Sequence, residues 1–264
     1  AGIDLSVGMV FVLCNCVGSF VLAGSPVMSG LGVTAVLGTG LACGALNGLI
    51  VIYGRLQPIV TTIATGAIFF GLALWLRPYP GTHPEFNADL ADAFTGKLFG
   101  VIPASLVFLA AVVLVIWVPL RRSLIGRTIY AVGSSDMAAY MSGMPVKIAR
   151  FTAFVVGGLF AGFAGLFLTF FTYSGEASLA NGDNYTLFSI AAVVLGGVSL
   201  YGGRGSVIGA IFGALAFRTI GDLLFVFDFD PLWQPLFQGI VLALAITIGA
   251  ARLFQIRNRL DMFT

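Results

Sequence analysis

Charge is scarce in this chain of 264 residues, because Asp, Glu, Lys and Arg together make up only 9% of it. A typical soluble domain has about 25% charged residues. Hydrophobic residues make up 59%, and the formal net charge is only +2. A soluble protein of this length needs a polar surface that so few polar residues cannot supply. The composition therefore indicates an integral membrane protein.

The residue patterns of several enzyme classes are missing. His83 is the only histidine, which excludes an HExxH helix and any site with several histidines. The only Gly-Lys pair, Gly96 and Lys97, is followed by Leu98 and lacks the upstream glycine of a phosphate-binding loop. A G-x-S-x-G nucleophile elbow is absent as well. We therefore expect no catalytic residue, no metal and no cofactor in this chain, and any ATP hydrolysis must come from a partner.

Cysteines are few, and all three lie inside apolar runs. Cys14 and Cys16 are two residues apart, which on a helix points them to different sides. Neither a disulfide nor a metal pair is favoured, and a buried thiol behaves as a small apolar group.

Apolar runs alternate with short polar breaks along the chain. Their lengths predict an all-α, polytopic transmembrane helical bundle with about eight membrane segments, in a single domain over residues 1–264. The segment at 187–200 is short and is predicted to be partial or tilted, and residues 24–32 are predicted to form a turn. The predicted segments are 7–23, 33–52, 59–76, 104–119, 151–171, 187–200, 207–224 and 232–249.

Small residues recur at every fourth position in three of these segments. Such a ridge lets two membrane helices approach closely, so each ridge predicts a helix contact. The ridges are Gly40, Gly44 and Gly48; Gly157, Ala161 and Gly165; and Gly205, Gly209 and Gly213.

The break at 121–150 is the only strongly basic one, with five Lys or Arg residues against the single acid Asp136. Its middle predicts a short helix over 137–142. Ser135 or Asp136 can cap its start, Gly143 can take the left-handed stop, and Pro145 prevents continuation.

The apolar residues of this predicted helix share one face. Met137, Tyr140 and Met141 are spaced at i, i+3 and i+4. A short exposed helix with an apolar face is expected to dock on a partner.

The positive-inside rule gives one consistent threading when this basic stretch is cytoplasmic. All Lys and Arg residues except Arg77, Lys97 and Arg218 then lie inside, including those of the C-terminal tail. The acids between the other segments lie on the opposite side. They are Glu85, Asp89, Asp92, Glu176, Asp183, Asp228 and Asp230.

Uncharged polar residues near aromatic residues suit a neutral, polyhydroxylated solute. The candidate pathway residues are Asn15, Asn47, Phe170, Asn184 and Tyr185. The alternative for each is a structural role, in hydrogen bonds between helices or in packing. Arg218 and Asp222, four residues apart, are interpreted as an ion pair or interface anchor, with a pathway role as the alternative.

Three motifs carry a family resemblance: AGIDLSVG at 1–8, GRTIYAVGSSDMAAYMSGMPV at 126–146, and AAVVLGGVSLYGGRGSVIGA at 191–210. In this order they resemble the membrane permease of a bacterial ATP-binding-cassette (ABC) sugar importer of the ribose/galactose/xylose type. The family has about ten spans. The chain opens at Ala1 without Met or a signal peptide. It therefore resembles a member without its first two helices, and its true start is expected to be missing.

The resemblance implies several partners. They are a second permease copy or a homologous permease, a pair of cytoplasmic ABC ATPases, a periplasmic sugar-binding protein and the lipid bilayer, with no nucleic acid. It also implies a multi-pass position in the bacterial cytoplasmic (inner) membrane. The C-terminus and residues 121–150 would be cytoplasmic.

The family's ATPase-coupling helix matches nine residues of this chain. Ser134 and Ser135 stand where relatives commonly have Gly-Asn, a departure that keeps the capping chemistry. The matched residues are Ser135, Asp136, Met137, Ala138, Ala139, Tyr140, Met141, Ser142 and Gly143.

Alternative functions remain open from sequence. The cargo could be a branched-chain amino acid or another small solute. An ion- or proton-coupled carrier is disfavoured because no carboxylate lies in the middle of a segment. An intramembrane enzyme is disfavoured because no catalytic pair is present.

Overall fold

A computed structural model describes residues 2–200, 202–234, 236–241, 243, 244 and 247. Helices dominate these residues. The helices are α1 (Val7–Val21), α2 (Pro26–Gly48), α3 (Pro58–Leu76), α4 (Ala88–Thr95), α5 (Ala104–Val112), α6 (Val118–Arg122), α7 (Leu124–Ser134), α8 (Asp136–Met141), α9 (Val146–Thr172), α10 (Leu179–Leu195) and α11 (Val207–Val226). The π-turns Leu49–Tyr53 and Val113–Trp117 extend α2 and join α5 to α6, and Pro231–Trp233 forms a 3₁₀ turn.

The only strands among the described residues are β1 (Lys97–Leu98) and β2 (Ile102–Pro103), which pair antiparallel. Their hairpin leads directly into α5, since the Ala104 N–H donates to the Gly96 carbonyl at 2.8 Å.

Five helices within the described residues are long and apolar enough to cross a membrane: Pro26–Tyr53, Pro58–Leu76, Ala104–Arg122, Val146–Thr172 and Val207–Val226. The shortest has 19 residues, about 28 Å at the helical rise, which matches the hydrocarbon core. The predicted transmembrane helical bundle is therefore confirmed. The number of about eight segments stays a prediction. Part of the predicted segment 232–249 and the whole tail 250–264, with Arg252, Arg257 and Arg259, lie outside the described residues.

The chain forms two compact units. One contains residues 2–129 and 139–186, and the other contains 130–138 and the described residues from 187 onward. The expected single domain over 1–264 stays a prediction.

Helix α1 forms the core of the first unit. It contacts α2, α3 and α9, and an unbroken run from Gly8 to Cys16 is buried. Because nine consecutive residues pass more than twice around a helix, every face of α1 is covered. A helix that is apolar all round and covered on all sides belongs inside a bundle. Cys14, Cys16 and Cys43 are free and buried in this region.

Helices α2 and α9 pack backbone against backbone through glycine. A Cβ built on Gly40 would lie 2.4 Å from the Gly158 carbonyl oxygen, and one built on Gly158 would lie 2.2 Å from that of Gly40. The predicted α2 ridge is therefore confirmed at Gly40 and Gly44. On α9 the prediction was wrong at Gly157, which meets nothing within 4 Å, because the packed face runs through Gly158 and Gly162 instead.

The third predicted ridge is confirmed at Gly209 and Gly213, within the second unit, but is wrong at Gly205, which precedes α11 and has φ +133°. Cβ atoms built on Gly209 and Gly213 would lie 2.3 Å from the Gly196 carbonyl and 2.0 Å from the Ala192 carbonyl. Helix α11 therefore closely approaches the C-terminal end of α10.

The turn predicted at 24–32 is wrong beyond Ser25, because α2 begins at Pro26. Ser25 Oγ accepts a hydrogen bond from the Met28 N–H at 3.4 Å, and Pro26 occupies the first turn. Proline is favoured there because its missing N–H has no helical partner. The glycines that suggested a turn instead allow close contact: a Cβ on Gly32 would lie 2.4 Å from the Val21 carbonyl.

The segment predicted at 187–200 was also placed wrongly, since α10 runs from Leu179 to Leu195. Its first eight residues include five polar ones, from Asn181 to Thr186, and were interpreted as part of a polar break. Ser178 caps the helix by accepting from the Asn181 N–H at 3.2 Å, so local hydrogen bonding starts the helix before the apolar run.

Candidate functional site

Helix α8 is the predicted short helix in the basic stretch, and its existence is confirmed at Asp136–Met141. Ser135, one of the two predicted caps, caps the helix. Its Oγ accepts a hydrogen bond from the Ala138 N–H at 3.3 Å. Asp136 lies in the first turn, where a carboxylate is favourable beside the positive end of the helix dipole.

The end of α8 is fixed by two hydrogen bonds. Gly143 has φ +72°, and its N–H donates to the Tyr140 carbonyl at 3.0 Å, while the Met144 N–H donates to the Ala139 carbonyl at 3.2 Å. This 6→1 and 5→2 pair is the Schellman motif, which favours glycine at the left-handed position. The predicted glycine stop is therefore confirmed, and α8 is held at both ends.

One face of α8 is apolar and uncovered. Met137, Tyr140 and Met141 are 71%, 68% and 78% exposed, whereas Ala139 is only 4% exposed. The remaining residues of the coupling set, Ser135, Asp136, Ala138, Ser142 and Gly143, are exposed as well. Ala139 thus turns toward the protein while the two methionines and the tyrosine face outward.

Exposed basic residues flank α8 on both sides in sequence. Arg121, Arg122, Arg127, Lys147 and Arg150 are all exposed. The Arg121 guanidinium lies 5.0 Å from the centre of the Trp117 ring, a contact typical of residues at a membrane boundary.

Helix α7 was not predicted. It contains Gly126 and Gly133 and the β-branched Thr128 and Ile129, all weak helix formers. Ser123 caps it by accepting from the Gly126 N–H at 3.1 Å. A capping serine three residues before Gly126 was the sequence signal that could have indicated this helix.

The predicted pathway residue Asn15 is buried at 1% exposure, and its amide makes three hydrogen bonds. Nδ2 donates to Thr169 Oγ1 and to the Ser174 carbonyl, both at 3.0 Å. Oδ1 accepts from the Glu176 N–H at 3.0 Å. Asn15 therefore joins α1 to the end of α9 and the segment that follows it.

Asn47 is also buried and lies in a directional chain of hydrogen bonds. Thr65 Oγ1 donates to Asn47 Oδ1 at 2.6 Å, and Asn47 Nδ2 donates to Ser6 Oγ at 2.7 Å. Ser6 Oγ then donates to Asp4 Oδ1 at 2.7 Å. Thr62 Oγ1 accepts from the Leu5 N–H at 3.0 Å. These contacts, which we call the polar chain, tie the segment before α1 to α2 and α3.

Phe170 is 1% exposed and packs inside a cluster of aromatic rings. Its ring stacks on Phe94 at 5.4 Å between centroids, and Phe94 meets Phe108 edge-on at 5.6 Å. These contacts join α4, α5 and α9.

Asn184 and Tyr185 lie on the exposed side of α10, unlike the other three pathway candidates. The Tyr185 ring contacts Phe11 of α1 with centroids 4.6 Å apart. The next residue, Thr186, is buried, and its Oγ1 accepts from the Gly8 N–H at 3.1 Å. Sequence reasoning missed Thr186 and Thr169, both of which bond to α1 from distant parts of the chain.

Arg77 fixes the other end of α1. Its Nε donates to Ser19 Oγ at 2.9 Å and its NH2 group donates to the Ser19 carbonyl at 2.8 Å. The guanidinium also lies 4.4 Å from the Phe20 ring centre. Partial burial lowers the pKa of Arg77. A cation is favourable at the C-terminal end of a helix because it meets unpaired carbonyls there.

Two contacts that involve charged side chains lie outside α8, and one of them was predicted. Arg218 Nε and Asp222 Oδ1 are 3.2 Å apart on α11, so the predicted ion pair is confirmed. Tyr173 donates a hydrogen bond to Asp92, which raises the pKa of the Tyr173 hydroxyl.

Comparisons with known proteins match most of the chain to permease components of transport systems. A family model described as "Branched-chain amino acid transport system / permease component" matches residues 1–246. The probable ABC transporter permease protein y4mJ of Sinorhizobium fredii is 36% identical over 253 residues, which cover 94% of this chain and 73% of that protein.

Two further relatives are named for sugars. The D-allose transport system permease protein AlsC of Escherichia coli K12 is 32% identical, with 94% of this chain and 75% of that protein covered. The ribose import permease protein RbsC of Haemophilus influenzae is 34% identical, with 93% and 76% covered. No solved structure matches the chain.

The helices and the comparisons together define a multi-pass membrane transport subunit rather than an enzyme. The chain belongs to the family of transport-system permease components whose family model matches residues 1–246. The resemblance noted at residues 1–8, 126–146 and 191–210 is thereby confirmed.

Proposed function

We propose that the chain forms the translocation pathway of an ABC importer for a monosaccharide, and that α8 is the contact for its ATPase. The relatives named for allose and ribose support the cargo class. The family is described as the permease component of a transport system, which supports the proposal that this chain works with separate partner chains.

The observation that carries the docking proposal is the outward face of α8. Three large side chains, Met137, Tyr140 and Met141, are more than two-thirds exposed on a helix capped at both ends. Methionine and tyrosine bury large areas in protein interfaces and adapt to a groove. Because both caps are already formed, little ordering opposes docking.

The proposed partners are an ATPase pair at α8, a second permease copy or a homologous permease, and a periplasmic sugar-binding protein. Residues 121–150 and the C-terminus are proposed to be cytoplasmic in the bacterial inner membrane. The basic residues that flank α8 support this orientation, since Lys and Arg are enriched in short cytoplasmic loops.

For the pathway, Asn184 is the strongest of the proposed residues. It lies on the exposed side of α10, where an amide in a membrane protein needs a polar neighbour or water. Asn15 and Asn47 use their amides in contacts between helices. If alanine variants of Asn15, Asn47 and Asn184 all kept wild-type uptake, these pathway assignments would be wrong.

The docking proposal is tested by Tyr140→Asp in the assembled transporter. A carboxylate placed on the apolar face must be desolvated on docking, so we expect the ATPase no longer to co-purify and uptake to be lost. Tyr79→Asp is the matched control, because Tyr79 is 81% exposed and lies far from α8 in sequence. Normal association and uptake in Tyr140→Asp would overturn the proposal.

The cargo is tested by uptake of labelled ribose, allose and leucine. We expect uptake of a sugar and none of leucine. Leucine uptake alone would favour the amino-acid cargo that the family description names.

A further inference from the structure

The C-terminal turn of α7 packs against a glycine-rich loop without intervening side chains. This loop, which we call the glycine loop, comprises residues 199–206, of which all but Tyr201 are described. A Cβ built on Gly133 of α7 would lie only 2.1 Å from the Gly203 backbone nitrogen, and one built on Gly202 would lie 2.8 Å from the Gly133 Cα. The contact is therefore backbone on backbone and leaves no room for a methyl group.

A hydrogen bond holds the same two elements together one turn earlier. Tyr130 Oη donates to the Gly205 carbonyl at 3.1 Å. Residues 130–138 also belong to the compact unit that contains the described residues from 187 onward. Tyr130 and Gly133 thus fix α7 to the glycine loop at two points.

The glycine loop is closed by its own hydrogen bonds and leads directly into α11. The Ser199 N–H donates to the Arg204 carbonyl at 3.0 Å, and the Gly202 N–H donates to the Ser199 carbonyl at 3.0 Å. Ser206 caps α11 by accepting from the Gly209 N–H at 3.0 Å. Since Gly196 and Gly209 bring α10 and α11 into backbone contact as well, a displaced loop displaces the ends of both helices.

On its other side, α7 is joined to α8 by a single residue. The Ser135 N–H donates to the Ala131 carbonyl of α7 at 2.9 Å. Its Oγ accepts from the Ala138 N–H of α8 at 3.3 Å. Ser135 therefore ends one helix and starts the next, with no flexible linker between them.

We propose that the glycine loop receives the movement of α8, with Tyr130 and Gly133 as positioning residues that couple ATPase closure to α10 and α11. This inference rests on the proposed function of α8. Side chains at a contact can absorb a small shift by changing rotamer, whereas two backbones in contact cannot. A displacement of α8 is thus passed through Ser135 and the end of α7 to the helices after residue 187.

The test uses the complete transporter in proteoliposomes and measures sugar uptake per ATP hydrolysed. Gly133→Ala forces the loop away, and Tyr130→Phe removes only the hydroxyl that bonds Gly205. We expect uptake per ATP to fall about 10-fold and about 3-fold, respectively, while ATPase co-purification stays at the wild-type level. A purely structural defect would instead lower the yield of complex and leave the uptake per ATP of the remaining complex unchanged.

Two variants serve as controls. Gly157→Ala adds the same methyl group to a helix at a place with nothing within 4 Å, and Tyr79→Phe removes an exposed hydroxyl. Both should keep the wild-type ratio. Wild-type uptake per ATP in Gly133→Ala and Tyr130→Phe would overturn the inference, and if Gly133→Ala does not assemble, the isosteric Tyr130→Phe decides alone.

Failure of this inference is distinguishable from failure of the proposed function. Tyr140→Asp tests whether α8 binds the ATPase at all, through co-purification. The α7 variants test what happens after binding. If Tyr140→Asp loses co-purification while the α7 variants keep a normal uptake ratio, the proposal that α8 binds the ATPase is supported. Only the inference about the glycine loop is then overturned.

Discussion

Asn47 donates from Nδ2 to Ser6 Oγ at 2.7 Å, across 41 positions of sequence, and both side chains are fully buried. The same amide accepts from Thr65. One side chain thereby fastens the segment before α1 to both α2 and α3. A buried amide with both of its ends used stabilises a helix contact in a membrane, where water cannot substitute.

Asn47→Ala is expected to lower the free energy of unfolding by about 1 to 2 kcal/mol, because it breaks two hydrogen bonds and leaves buried hydroxyls with fewer partners. Thermal unfolding of the purified chain in detergent measures the change. Thr39→Ala is the control, since the exposed Thr39 hydroxyl bonds only the Ala35 carbonyl of its own helix. Equal melting temperatures for the two variants would contradict the structural role of Asn47.

Two neighbouring glycines of α9 should respond in opposite ways to the same substitution. Gly158→Ala forces α2 and α9 apart, because its Cβ would lie 2.2 Å from the Gly40 carbonyl oxygen. We expect it to destabilise the protein by about 1 to 3 kcal/mol. Gly157→Ala meets nothing within 4 Å and should be neutral or stabilising by up to about 1 kcal/mol, since alanine favours a helix. Melting temperatures of the pair measure the difference, and an equal loss in both would refute the packing.

Gly143→Ala should weaken the end of α8. Gly143 has φ +72°, and a residue with a Cβ costs about 1 to 2 kcal/mol more than glycine in that conformation. The loss is expected to lower the affinity for the ATPase by about 5-fold or more. Binding of detergent-solubilised permease to immobilised ATPase measures it. Gly30→Ala is a control, because Gly30 has open space around it and ordinary φ.

The proposed orientation predicts opposite accessibility for two single-cysteine reporters. The native cysteines are buried, so a membrane-impermeant maleimide should label mainly an introduced cysteine. Met141→Cys should react only in inside-out vesicles, and Tyr79→Cys only in right-side-out vesicles. Both parent side chains are more than three-quarters exposed. The reverse labelling pattern would show that the orientation is opposite to the proposed one.

Features set by short-range chemistry could be predicted from the sequence. The caps of α8 depend on Ser135 and Gly143, and both lie within a few residues of the groups they bond. The span at Pro58–Leu76 follows from hydropathy and a proline at its first turn. Features that depend on distant contacts could not be predicted. The choice of Gly158 over Gly157 depends on where α2 lies, and the hydrogen bond from Gly8 to Thr186 joins residues 178 positions apart.

Polar residues were the hardest to interpret from sequence, for a physical reason. An amide in an apolar helix is equally compatible with a solute and with another helix, since either satisfies its hydrogen bonds. Asn15 and Asn47 bond to other segments of the chain. Asn184 lies on an exposed side. Only the three-dimensional neighbours separate these cases.

Uptake by the reconstituted transporter tests the central claim most directly. Proteoliposomes containing the chain, its ATPase and its sugar-binding protein should accumulate labelled sugar only when ATP is present. Omitting the ATPase or the binding protein should abolish accumulation. Accumulation by the chain alone under an ion or proton gradient, without ATP, would contradict the claim and indicate a self-contained carrier.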